Sequence, residues 1–178
     1  MDLQLAGKRA LITGGSRGIG LACARALAAE GVHLALAARE VNRLKEVTKE
    51  LRSGHDIEVT SHSCDLARNE HQAALIDVVG DVDILINNAG AIPSGTIDVV
   101  DDKEWRAAWD LKVFGYINLC RLVLPQMIDR GTGVIVNIIG AAADRPSPDY
   151  VAGAAGNSAL VGLTTALGAT SLLSLIHI

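Results

Sequence analysis

Aromatic side chains are scarce, at 3% of the 178 residues, with one Phe, two Trp and two Tyr. The apolar content of 49% therefore comes mostly from Ala, Leu, Ile and Val, the usual filling of parallel strands covered on both faces by helices. A surplus of positive charge is also lacking. A net charge of -4 and a pI near 5.7 give no basic field to hold a polyanion, so nucleic acid is not the expected partner and a small ligand is favoured. Cys23, Cys64 and Cys120 are few, odd in number and without a CxxC pair, and His33, His55, His62 and His71 show no metal-ligand spacing. The expectation is a reduced, cytoplasmic protein that binds no metal. The first strand-like run starts at Arg9, which leaves no room for a signal peptide. Residues 151–178 contain no Asp, Glu, Lys or Arg, yet Gly153, Gly156, Gly162 and Gly168 with Asn157, Ser158, Thr164 and Thr165 break the run. A buried helix fits it better than a membrane span, and no membrane role is expected.

What is present is an alternation of short apolar runs with longer amphipathic ones, the pattern of βαβ units. Strands are expected near 8–13, 32–38, 57–62, 82–88 and 133–139, and helices near 18–30, 41–53, 67–79, 102–129 and 149–168. The fold class is α/β, a doubly wound parallel sheet with the ligand crevice at the carboxyl ends of its strands. One domain over residues 1–168 is expected. Residues 169–178, ending LSLIHI, carry no charge and no capping signal and read as a tail of translated adapter sequence, with no further strand. The edge of the fifth strand would then lie open, and the chain as it stands is expected to be unstable or to aggregate.

The segment TGGSRGIG at 13–20 follows a strand and opens a helix, the context of a phosphate-binding turn. Its TGxxxGxG spacing resembles the short-chain dehydrogenase/reductase family, and the resemblance extends over about residues 5–168. It implies a Rossmann-type sheet lacking the last strands of the full fold, and it implies dinucleotide contacts from Gly14, Ser16, Arg17, Gly18, Ile19 and Gly20. At the end of the second strand, where an NAD-binding fold usually places an acid, stand Ala38 and then Arg39. With Arg17 they favour the 2′-phosphate of NADP(H). The competing reading takes Glu40 as the acid, Arg39 as a surface charge and NAD(H) as the cofactor. Asp65 and Leu66 resemble the family's adenine-contacting pair, and Asn87, Asn88, Ala89 and Gly90 its NNAG turn, in which Asn side chains brace the sheet and small residues pass close to the ribose.

The resemblance implies hydride transfer between nicotinamide and a carbonyl or alcohol substrate, with a Tyr as proton donor or acceptor. Tyr150 matches it. Ala154 stands where the family has its Lys, Gly140 where it has its Ser, and Lys112 where it has an Asn on the long helix. Lys112 is read as a relocated lysine that lowers the Tyr150 pKa. The alternative is an ordinary solvated charge on a catalytically silent NADP(H)-binding sensor or scaffold. Asp149 is expected to cap the last helix, and Trp105 and Trp109 to serve packing or subunit contact. A homo-oligomer is expected of the full-length form.

Overall fold

The structure, a computed structural model, describes residues 3–169 and the backbone of 175–177. Among these residues lies one parallel sheet in the order β3-β2-β1-β4-β5-β6. Its strands are β1 Arg9–Thr13, β2 His33–Ala38, β3 Val59–Ser63, β4 Ile84–Asn87, β5 Thr132–Asn137 and β6 Leu175–His177. The sheet is covered by α1 Gly18–Ala29, α2 Val41–Gly54, α3 Asn69–Val79, α4 Asp102–Trp109, α5 Gly115–Arg130 and α6 Val151–Gly168.

Alternation along β1 sorts the core into two layers. Ala10 and Ile12 pack with Leu34, Leu36, Ala24, Leu44 and Val47 beneath α1 and α2. Leu11 points the other way, into Leu85, Ile135, Leu75, Leu119 and Val123 beneath α3 and α5. Both faces of the central strands are thus dry, as their unbroken apolar sequence requires. In α2 the buried residues Leu44, Val47, Thr48 and Leu51 recur at helical spacing, which turns one stripe to the sheet.

The order reverses at β1, which pairs with β2 on one side and β4 on the other. Such a switch point opens a crevice at the carboxyl ends of the strands. The Thr13 hydroxyl holds the two sides in register: it donates to the Ile86 carbonyl at 3.3 Å and accepts from the backbone N–H groups of Asn88 and Ala89 at 2.8 and 3.0 Å.

Three expectations are corrected. The single helix over 102–129 is interrupted by a π turn at Asp110–Phe114, between α4 and α5. Gly115, just after the turn, lies close under its neighbours, for a Cβ there would stand 3.4 Å from the Leu66 carbonyl. Asp149 does not cap α6: Tyr150 holds the N-cap position and no side chain caps it. A strand does follow α6. β6 pairs in parallel with β5 from Thr132↔Leu175 to Val134↔His177, so the inner half of that edge is covered. Leu175 and Ile176 are apolar and strand-competent whatever their coding origin, and an unpaired strand edge next to them gains hydrogen bonds by taking them up. Residues 170–174 and 178 of the expected tail lie outside the described residues.

Candidate functional site

The loop from β1 to α1 forms one wall of the crevice. Gly14 takes φ +65°, and a Cβ on it would stand 2.7 Å from Asn88 Nδ2. Gly20 is equally tight, with Asn88 Nδ2 2.6 Å from its would-be Cβ. Only glycine lets the loop and the first turn of α1 approach the end of β4 this closely. Helix α1 receives no side-chain cap at Arg17 and has no acid in its first turn. Its leading N–H groups and positive dipole end are therefore available to an anion.

A crevice of about 270 Å³ lies between this loop, the start of α2 and the end of β4. Of the residues expected to bind a dinucleotide, Gly14, Ser16, Arg17, Ile19, Arg39, Leu66, Asn88, Ala89 and Gly90 line it. Gly18 and Gly20, in the first turn of α1, are not part of the lining. Asp65 stands aside: its Oδ1 accepts the Ala67 N–H at 3.1 Å, and its own N–H donates to His71 Nδ1 at 3.3 Å. Leu66, by contrast, is anchored as a wall, because the buried Gln72 amide donates to its carbonyl at 2.6 Å.

Ala38, Arg39 and Glu40 all line the crevice, so a base and an acid stand side by side at the end of β2. Arg43, Cys64, Ala91 and Leu111 line it too and were not foreseen. The signal for Arg43 was available: it lies in the first turn of α2, which begins directly after Arg39 and Glu40 at the end of β2. Leu111 reaches the crevice from within the π turn. Burial and the neighbouring Asp65 carboxylate push the Cys64 thiol up to about 11, so it stays protonated at neutral pH.

The NNAG turn is held from below. Asn88 Nδ2 donates to the Thr13 carbonyl at 2.9 Å. Asn87 Nδ2 donates to Asn137 Oδ1 at 2.9 Å, and Asn137 Nδ2 in turn to Thr164 Oγ1 at 2.9 Å, a chain from β4 through β5 to α6. The asparagines thus brace the sheet.

Lys112 emerges from the π turn, a geometry frequent at functional positions. Its aliphatic chain crosses Gly90, whose would-be Cβ lies 2.8 Å from Lys112 Cδ. Half-buried there, the ammonium loses hydration and its pKa falls below the ordinary lysine value. Tyr150 lies at the start of α6. Its ring lies over Gly153, filling the volume a Cβ would need, while its N–H donates to the Ser147 carbonyl at 3.1 Å. No hydrogen bond joins Tyr150 to Lys112 among the described residues. Ala154 is buried, and the Gly140 N–H donates to Asn157 Oδ1 at 2.9 Å. Asn157 Nδ2 donates onward to the Gly153 carbonyl at 2.8 Å. Trp105 and Trp109 pack at 6.1 Å between ring centroids, and Trp109 Nε1 donates to the Ala152 carbonyl at 3.0 Å, tying α4 to α6. Among the described residues no helix is long and apolar enough to cross a membrane, and no group of three or more His, Cys, Asp or Glu side chains is placed to hold a metal.

A parallel sheet reversing at β1, with a glycine loop opening a helix at the reversal, defines a Rossmann-type dinucleotide-binding fold. The short chain dehydrogenase family profile matches residues 8–174, and the chain belongs to that family. It is 34% identical over 167 residues to an uncharacterized oxidoreductase, YvrD, of Bacillus subtilis, covering 92% of this chain and 63% of the relative. It is 35% identical over 165 residues to the 2,3-dihydro-2,3-dihydroxybenzoate dehydrogenase of the same organism, covering 91% and 63%. The crystal structure of L-sorbose reductase from Gluconobacter frateurii, complexed with NADPH and L-sorbose, superposes with a TM-score of 0.93 at 34% identity. It covers 99% of this chain and 68% of the reductase. The chain thus spans somewhat under two thirds of the length of these curated relatives.

Proposed function

We propose that the chain is the dinucleotide-binding part of an NADP(H)-dependent oxidoreductase that interconverts a carbonyl compound and its alcohol. The observation that carries this reading is the crevice wall at the end of β2, where Ala38 stands in place of an acid and Arg39 supplies positive charge, with Arg17 of the glycine loop lining the same crevice. The NADPH complex of the similar sorbose reductase supports it.

The residues present fit such a cofactor. Gly14, Ser16, Gly18, Ile19 and Gly20 present loop and helix N–H groups to a pyrophosphate, and the close approach at Gly14 and Gly20 leaves no space for a side chain. Arg17 and Arg39 meet the 2′-phosphate. Leu66 would wall the adenine, Asp65 Oδ2 would serve as acceptor for its amino group if the side chain turned to the crevice, and Asn88, Ala89 and Gly90 would hold the ribose. Bound there, NADP(H) supplies or accepts a hydride.

Tyr150 exchanges the proton with the substrate oxygen. Lys112, entering beside Gly90 from the π turn, favours the phenolate by its charge. The second reading, a catalytically silent NADP(H)-binding sensor or scaffold, is favoured by Ala154 and Gly140 at two of the substituted positions and by the Tyr150 ring lying over Gly153.

The test is NADPH oxidation by the full-length protein with a panel of carbonyl compounds. Lys112→Ala is expected to lower the rate of reduction and to move the basic limb of its pH profile to higher pH, because the phenol then keeps its proton longer. Unchanged kinetics in that variant would exclude the Lys112 role, and no turnover with any compound would favour the silent reading. Ala38→Asp combined with Arg39→Ser should reverse the preference for NADP(H). Equal or tighter NAD(H) binding by the unmodified protein would instead point to Glu40 as the ribose-binding acid.

A further inference from the structure

Arg43 belongs to none of the motifs that mark the dinucleotide crevice, yet its side chain lines that crevice together with Arg17 and Arg39. It is the most constrained of the three by hydrogen bonds. Its Nε donates to the Ser16 carbonyl at 3.4 Å, across from α2 to the glycine loop, and its Nη1 to Glu46 Oε2 at 3.0 Å one turn along its own helix. Nη2 makes no hydrogen bond among the described residues, and the side chain remains 48% exposed.

We infer that Arg43 is a specificity-determining residue that binds the 2′-phosphate of NADP(H) and is aimed at it by Ser16 and Glu46. The inference rests on the reading of the crevice as an NADP(H) site. A doubly charged phosphate held at the end of β2 would share the crevice that Arg17, Arg39 and Arg43 line. Arg17 and Arg39 are exposed and must order their side chains on binding. Arg43 is already held at two of its nitrogens, so less freedom is lost when Nη2 takes a phosphate oxygen. Glu46 offsets part of the mutual repulsion of three guanidinium groups before the ligand arrives. Glu40, also lining the crevice, adds a carboxylate on the ribose side, which makes a strong positive counterweight at the phosphate more necessary.

Binding, rather than turnover, separates this role from mere bracing of the glycine loop. The intact chain is titrated calorimetrically with 2′,5′-ADP, 5′-AMP, NADPH and NADH, as the unmodified protein, Arg43→Gln and Arg39→Gln, with melting checked for each. The unmodified protein is expected to prefer 2′,5′-ADP over 5′-AMP. Arg43→Gln should weaken 2′,5′-ADP and NADPH by about 10- to 100-fold, the worth of a hydrogen bond to a charged group, and leave 5′-AMP and NADH within about twofold. Equal weakening of both pairs would show that Arg43 only braces the Ser16 loop, and no weakening would show that it is idle; either overturns the inference. A failure of Arg43→Gln alongside a large effect of Arg39→Gln leaves the NADP(H) reading standing without Arg43. Absence of any 2′-phosphate preference in the unmodified protein overturns both.

Discussion

Lys112, for which a part in catalysis is proposed, is costly to the fold. Its ammonium is half-buried against Gly90, and desolvation holds its folded pKa below the ordinary 10.5. Well below the folded pKa, the proton is bound in both the folded and unfolded states and the burial penalty is fully present. As pH rises through the folded pKa toward 10.5 the folded state sheds its proton first, and the penalty fades. Lys112→Met should therefore raise the melting temperature at pH 7, with the gain shrinking toward pH 10. A gain that grows with pH would show that the ammonium is favourably paired. Gly90→Ala is the complementary change. Its Cβ would meet Cδ and Cγ of the Lys112 side chain rather than backbone, so the expected outcome is displaced Lys112 and reduced turnover with a modest loss of thermal stability. A melting temperature lowered by many degrees would indicate a rigid contact instead.

The elements around the site are joined by polar side chains that must be satisfied where they are buried. The chain from Asn87 on β4 through Asn137 on β5 to Thr164 on α6 links sheet to helix directly beneath the NNAG turn. Removing one member leaves its partner without a hydrogen bond in a place water reaches poorly. Asn87→Ala should cost about 2 kcal/mol and lower the melting temperature by roughly 4–8 °C for a chain of this size. Scanning calorimetry decides this, and a neutral outcome would mean that the network contributes no net stability. The π turn between α4 and α5 acts at the same scale. It breaks a helix that the sequence presents as continuous, and it carries both Leu111 at the crevice and Lys112 at Gly90.

At the scale of the molecule, the two edges of the sheet differ. On β3 the outward residues Thr60, Ser61 and Ser63 are polar or small, which discourages pairing with another chain. On β5 the run VIVN is apolar, and β6 covers it only from Thr132 to Val134, with Val136 left 39% exposed. Deleting residues 170–178 should therefore increase light scattering and the tendency to aggregate during concentration. An equally monodisperse deletion variant would show that β6 protects nothing. The edge hazard read from the sequence is thus moderated by the very residues set aside as a tail.

How much of this was legible in the chain follows from which interactions are local. Strand and helix positions, the α/β class, the glycine loop, Ala38 with Arg39 and the NNAG turn are all encoded by period and by short motifs, because each depends on neighbours within a few residues. The resemblance read from the sequence also led to the expectation that three positions of the catalytic set are substituted, at Gly140, Ala154 and Lys112. What only the tertiary structure decided are the placements that depend on distant backbone. Arg43 reaches the crevice because α2 returns beside the Ser16 loop, and Lys112 crosses Gly90 from within the π turn. Tyr150 lies over Gly153 because the missing Cβ leaves room for a ring, and Leu175–His177 form a strand because an unpaired edge of β5 lies next to them. In each case the deciding contact joins residues that the local pattern treats as unrelated, and packing overrules it.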